Sequence, residues 1–71
     1  MPLSVVQAGR RVRVVAVDAG HGLEGRLAAL GLAPGEEIEV LRNGLDGPFL
    51  VAVKGSRLAL GRGMAQKIRV A

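Results

Sequence analysis

The stretch Gly20-His21-Gly22-Leu23-Glu24-Gly25 has the spacing G-x-G-x-x-G. In that pattern, glycines at a strand-to-helix turn let backbone N–H groups approach a pyrophosphate. A β-branched run precedes it, a leucine-spaced run follows, and the acidic Glu39 stands on the next strand, so the order of parts is right. The lengths are wrong. The helical run is only about two turns, too short for an ordinary crossover between parallel strands. Everything after Glu36 reads as antiparallel hairpins, leaving no room for a second nucleotide-binding half. With eleven glycines in 71 residues, a chance match is ordinary. The segment is read as a flexible strand-to-helix turn.

The other reactive residues are few. His21 is the single histidine, Ser4 and Ser56 are the sole hydroxyl side chains, and there is no cysteine. Nucleophilic catalysis needs a nucleophile, a base and an orienting group within hydrogen-bond reach of one another. Glu36, Glu37 and Glu39 form the one acidic cluster, and Glu37 and Glu39 alternate with Ile38 and Val40 as a solvated strand face. One histidine with scattered carboxylates is a poor transition-metal site. No catalytic, cofactor-binding or metal-ligating residue is assigned, no cofactor is expected, and the chain is not expected to be an enzyme.

Charge leaves a further class to weigh. Ten Lys and Arg against six Asp and Glu give a net charge of +4. Seven of the ten cations cluster in two groups, Arg10, Arg11 and Arg13, then Arg57, Arg62, Lys67 and Arg69. Single-strand binders stack bases on aromatic side chains, and Phe49 is the one aromatic residue here. Phosphate contacts alone give weak, salt-sensitive association. No nucleic-acid partner is expected, and solubility accounts for the excess charge. A proline-rich-peptide groove also needs an aromatic lining and is set aside.

The elements that must carry any site follow from periodicity. Gln7-Ala8-Gly9 reads as a lead-in turn and Arg10 to Asp18 as a strand. Its phase slips at Val14-Val15, putting Val12 and Val14 on one face and Val15 and Val17 on the other. A bulge or burial on both faces would do this. Leu23 to Leu30 reads as a short helix with Leu23, Leu27 and Leu30 in one stripe. Gly31 sits where a left-handed cap is wanted, Pro34 prevents resumption, and Ala33-Pro34-Gly35-Glu36 fits a type II turn. Glu37 to Arg42 is a second strand. Asn43-Gly44 and Asp46-Gly47-Pro48 mark a loop. Phe49 to Lys54 and Arg57 to Leu60 form a hairpin around Gly55-Ser56. Gly61 to Gln66 is a connector with room for one helical turn, and Lys67 to Val70 is the last strand.

Five short strands with one helix inserted after the first predict an all-β fold, a small SH3-like barrel spanning residues 1–71 as a single domain. A chain this short buries about 60% of its unfolded surface, so its core is thin. An apolar fraction of 49% nonetheless supports a packed core. Met1-Pro2-Leu3-Ser4 has no basic segment followed by an apolar one, so no signal peptide is read. No apolar run approaches the roughly 20 residues of a membrane span. A cytoplasmic location is expected.

The segment Arg26-Leu27-Ala28-Ala29-Leu30-Gly31-Leu32-Ala33-Pro34-Gly35-Glu36 resembles the RL-x-x-LG-x-x-PG signature of the FeoA family, the small ferrous iron transport proteins A. The opening Leu3 to Gly9, the Val12-Arg13-Val14 run, Leu58-Ala59-Leu60, Ala65 and Ile68-Arg69-Val70 agree in order. The resemblance implies an SH3-like barrel that associates with the cytosolic part of FeoB, a membrane transporter with a GTPase domain, and supports ferrous iron uptake. It also implies kinship with a domain fused to iron-dependent repressors, although no DNA-binding helices precede the barrel here. Where the family often carries a Cys-bearing or Gly-rich loop, this chain has Gly20 to Gly25 without Cys, which weakens direct iron binding.

The expected contact residues are apolar side chains left over once a small barrel is filled. They are Leu23, Leu27, Leu30 and Leu32 near the inserted helix, and Leu58, Leu60 and Met64 near the hairpin. Spare apolar surface also allows self-association. The competing readings are a basic SH3-like module for nucleic acid and a regulatory domain sensing a divalent metal.

Overall fold

In the computed structural model, which describes residues 1–44 and 47–71 and only the backbone of His21, the β-branched run after Gly9 forms β1 (Arg11–Val17). It is followed by α1 (Gly20–Ala29), β2 (Glu37–Arg42), β3 (Phe49–Val53), β4 (Ser56–Leu60), α2 (Arg62–Lys67) and β5 (Ile68–Val70). The strands form one antiparallel sheet in the order β4-β3-β2-β1-β5. All five expected strands and the helix after the first are present. The Asp46 part of the expected loop lies outside the described residues.

Two register shifts curl this sheet. In β1 the shift lies between Val14 and Ala16, against β5. In β2 it lies between Val40 and Arg42, against β3. A bulge adds a residue to one strand and increases its bend and twist. The β1 bulge accounts for the phase slip in the sequence. It also corrects the expected pairing of Val15 with Val17. The extra residue lets Val17 rejoin Val12 and Val14 in the core, while Val15 is turned out and 54% exposed.

The core is aliphatic around one ring. Val12, Val14, Ile38, Val40, Phe49, Val51, Ile68 and Val70 alternate inward along their strands, and Leu27, Leu32 and Leu60 close the ends. Among the described residues, no polar or charged side chain is buried.

Turn chemistry sets the corners. Lys54 and Gly55 both have positive φ, 50° and 79°, and Val53 pairs with Ser56. This is the type I′ pattern whose twist suits a hairpin. The turn is therefore centred on Lys54-Gly55, one residue earlier than expected, because Ser56 is needed to pair with Val53. At Ala33 to Glu36 the expected turn forms, with Gly35 at φ 94° and the Glu36 N–H donating to the Ala33 carbonyl at 3.1 Å.

The helix begins three residues before its expected start. Only Gly20, with φ 75°, makes a left-handed entry, and Gly22 and Gly25 lie within α1. The G-x-G-x-x-G stretch is thus mostly helix backbone rather than a turn. The strand that follows α1 runs antiparallel to β1, so the parallel unit of a dinucleotide site is absent.

A short 3₁₀ turn at Leu3–Val5, which the sequence did not announce, packs on the side of α2 and β5. Leu3 and Ala65 are fully buried there. The Asn43 Nδ2 donates to the carbonyls of Ser4 at 3.1 Å and Val6 at 2.7 Å. Pro2 bridges to Arg69, and the Val70 N–H donates to the Met1 carbonyl at 2.7 Å. The outer edge of β5 is therefore occupied.

Candidate docking surface

Leu27 is the anchor of α1. It is buried, and it shares the helix end with Leu32 through a Schellman motif. The Leu32 N–H donates to the Leu27 carbonyl at 2.8 Å, and the Gly31 N–H donates to that of Ala28 at 3.0 Å. Gly31 adopts φ 96°, and a Cβ built there would overlap Cγ1 of Val53. Glycine is needed at Gly31 both for its backbone conformation and for the close approach of α1 to β3.

This cap turns the helix so that the leucine stripe splits. Leu27 faces the core, Leu23 is half-buried against it, and Leu30 is 51% exposed. Of the other expected contact residues, Leu32 and Leu60 are core residues, while Leu58 and Met64 are partly buried and pack against the core. Leu27, Leu32 and Leu60 fill the barrel end, so the apolar surface left from that set is Leu23, Leu30, Leu58 and Met64.

The structure brings Leu30 and Leu58 together. They line a groove of about 380 Å³ between the end of α1 and the β3–β4 hairpin, with Ala28, Lys54, Ser56 and Arg57. Its lining carries two cations and no carboxylate. A second groove, of about 520 Å³, runs along the other side of α1. It is lined by the exposed Val15 with Leu32 and Pro34, and Asp18 and Glu24 stand at its rim. Ala28 lines both grooves. The helix thus separates a basic-lipped groove from an acidic-lipped one. Lys54, Arg57 and Val15 were not foreseen as site residues, since only hairpin geometry and the bulge place them beside α1.

Two arginines elsewhere, Arg11 and Arg13, are paired with carboxylates. Arg11 lies 3.6 Å from Glu37 and 3.7 Å from Glu39, and Arg13 lies 3.9 Å from Glu37. Arg13 also donates to the Gly35 carbonyl at 2.7 Å. β1 and β2 sit side by side, so the basic group of one strand meets the acidic group of the next. This offsets the charge of Arg11 and Arg13, while Arg10, Arg62, Lys67 and Arg69 have no carboxylate within 4 Å among the described residues. Lys54 is 3.3 Å from Glu36. Among the described residues, no carboxylate lies within 4 Å of Arg57, and no three of His, Cys, Asp and Glu stand close enough to hold a metal ion. No helix among the described residues is long and apolar enough to cross a membrane.

Known proteins resemble this chain in sequence and fold. The FeoA domain model matches residues 1–71. A protein of Methanocaldococcus jannaschii named for Fe(2+) transport, protein A, is 42% identical over 69 residues, covering 97% of this chain and 83% of that one. The crystal structure of an iron uptake regulatory protein, FeoA, superposes with a TM-score of 0.89 at 37% identity, over 100% of this chain and 93% of that one. The Stenotrophomonas maltophilia FeoA, solved with zinc and described as a prokaryotic SH3 domain protein, superposes with a TM-score of 0.83 at 32% identity. That match covers 100% of this chain and 89% of the other. The barrel is therefore SH3-like.

Proposed function

This chain belongs to the FeoA family, and from that premise we propose that it is a cytoplasmic accessory protein of ferrous iron transport. It docks on the cytosolic part of a FeoB-type transporter and modulates iron uptake or the transporter's GTPase. The role is one of binding rather than catalysis, with iron as the transporter's cargo.

The observation that carries this reading is the uncovered apolar surface at the end of α1. Leu30 is half-exposed beside Leu58 in a groove that the described residues leave unfilled. An exposed leucine at the mouth of a groove is an anchor of the kind that dominates interface energetics. Leu23 on α1 and Met64 on α2 are also partly exposed, but neither lines this groove. Zinc is a finding on the Stenotrophomonas relative; among the described residues here, no three of His, Cys, Asp and Glu stand close enough to hold a metal ion.

Retention of the protein on the immobilised cytosolic domain of the transporter, and on the full-length transporter, is the direct test. Binding to either is expected, and Leu30→Asp should weaken it about tenfold or more by placing a charge in the apolar contact. Failure of the unaltered protein to be retained by both forms would end the proposal.

A further inference from the structure

The two edges of the sheet differ. β5 is covered by Met1 and Pro2, whereas β4 has β3 on one side and, among the described residues, no strand on the other. The hairpin register says which groups that open edge presents. With a two-residue turn, Val53 and Ser56 form a hydrogen-bonded pair, as do Val51 and Leu58, then Phe49 and Leu60. The alternate pairs, Ala52 with Arg57 and Leu50 with Ala59, point their backbone groups away from one another. On β3 those groups meet β2, where Ala52 faces Glu39 and Leu50 faces Arg42. On β4 the N–H and C=O of Arg57 and Ala59 point outward and have no backbone partner among the described residues. Both residues are exposed. The edge has no proline and no bulge, two of the usual devices that blunt such a strand.

We propose that an extended segment of a partner, alternating acidic and apolar residues, adds to this sheet as a sixth strand along β4. Four backbone hydrogen bonds to Arg57 and Ala59 would hold it. Side chains of an added strand alternate between the two faces. On one face they meet Leu58 and, across the groove, Leu30. On the other they stand beside Arg57. Apolar residues suit the first face and carboxylates the second, where Arg57 has no carboxylate within 4 Å among the described residues. A second copy of this chain fits the edge less well. It would bring another net charge of +4 and a second Arg57 to a lining that already lacks acid. The partner's identity rests on the docking role proposed above, but the open edge does not.

The test uses the whole chain with two probes, a short synthetic peptide alternating Glu and Val and the transporter's cytosolic domain. The Glu/Val peptide is expected to slow amide exchange at Arg57 and Ala59 and to shift the Leu30 and Leu58 methyl resonances. This binding should weaken with added salt, and a Lys/Val peptide should do neither. Ala59→Pro removes an outward N–H without touching the ladder to β3, and should cut peptide affinity about tenfold or more. Arg57→Glu keeps every backbone group, guards against misfolding of the proline variant, and should shift preference to the Lys/Val peptide. No protection at Arg57 and Ala59 with the Glu/Val peptide would overturn the proposal. So would protection already present in the protein alone and rising with its concentration, which would mean a second copy holds the edge. If the transporter domain binds the unaltered protein and both variants equally, the strand addition is wrong and the docking role stands. If neither that domain nor the full-length transporter binds any of them while the peptide protects β4, the docking role falls and the open edge stands.

Discussion

The two helices that cover the ends of the sheet are held by different means. Around α2, Leu3 and Ala65 are fully buried, Asn43 ties the Leu3–Val5 turn down through two carbonyls, and Met1 and Pro2 bond to β5 as a strand would. Among the described side chains of α1, only Leu27 is buried, and no side chain caps the helix at Ala19. Gly22 and Gly25 inside it cost together about 2 kcal/mol relative to alanine. Burial of Leu27 returns about 1.5–3 kcal/mol. Those terms nearly cancel, so α1 is held mainly by its Schellman end and by the contact of Gly31 with β3. The α2 end is closed by the protein itself, and the α1 end leaves the grooves and the exposed leucine that a partner would use.

Four substitutions break or sharpen that contrast. The largest effect is expected at Gly31→Ala, where a left-handed backbone and overlap with Val53 combine. A loss of about 3 kcal/mol or more should appear in chemical denaturation. A milder loss would mean that α1 can move away from β3 at little cost. Leu27→Ala should lower stability by about 2–3 kcal/mol, near the low end for a core leucine because α1 can settle into the space. Amide exchange should show α1 released while β1 to β5 stay protected, and equal loss across the sheet would erase the distinction between the two ends. Asn43→Ala removes two hydrogen bonds and should cost about 1–2 kcal/mol, with faster exchange in the Leu3–Val5 turn and none in α1. The smallest change has the opposite sign. Gly25 is helical with open space around its missing Cβ, so Gly25→Ala should stabilise α1 by about 0.5–1 kcal/mol. The readout is helical circular dichroism and slower exchange at α1 amides.

Much of the fold was legible because its signals are local. The Glu37 to Arg42 strand alternates from Glu37 to Val40 and appears with its expected bounds. Gly31 and Gly35 adopt the left-handed conformations that their positions after a helix and in a Pro-Gly turn require. The phase slip in β1 was visible as two valines in succession, but the choice between a bulge and two-faced burial needed β5, which comes from the far end of the chain. The Leu3–Val5 turn was missed because three residues carry no periodicity, and its anchor, Asn43, is 39 residues from Ser4.

The candidate surface divides along the same line. Its apolar residues could be named from the leucine spacing, but spacing does not distinguish a leucine that fills a barrel from one left over. Leu27, Leu32 and Leu60 went to the core and Leu30 did not, because the left-handed Gly31 folds the chain back and delivers Leu32, not Leu30, to the core beside Leu27. The family and the SH3-like architecture were set by local pattern: strand alternation, the Arg26 to Glu36 signature and the turn glycines. Which leucines stay in water, which cations lose their field to a neighbouring strand and which edge keeps unpaired backbone groups depend on contacts between residues far apart in sequence. Those only the tertiary structure decided.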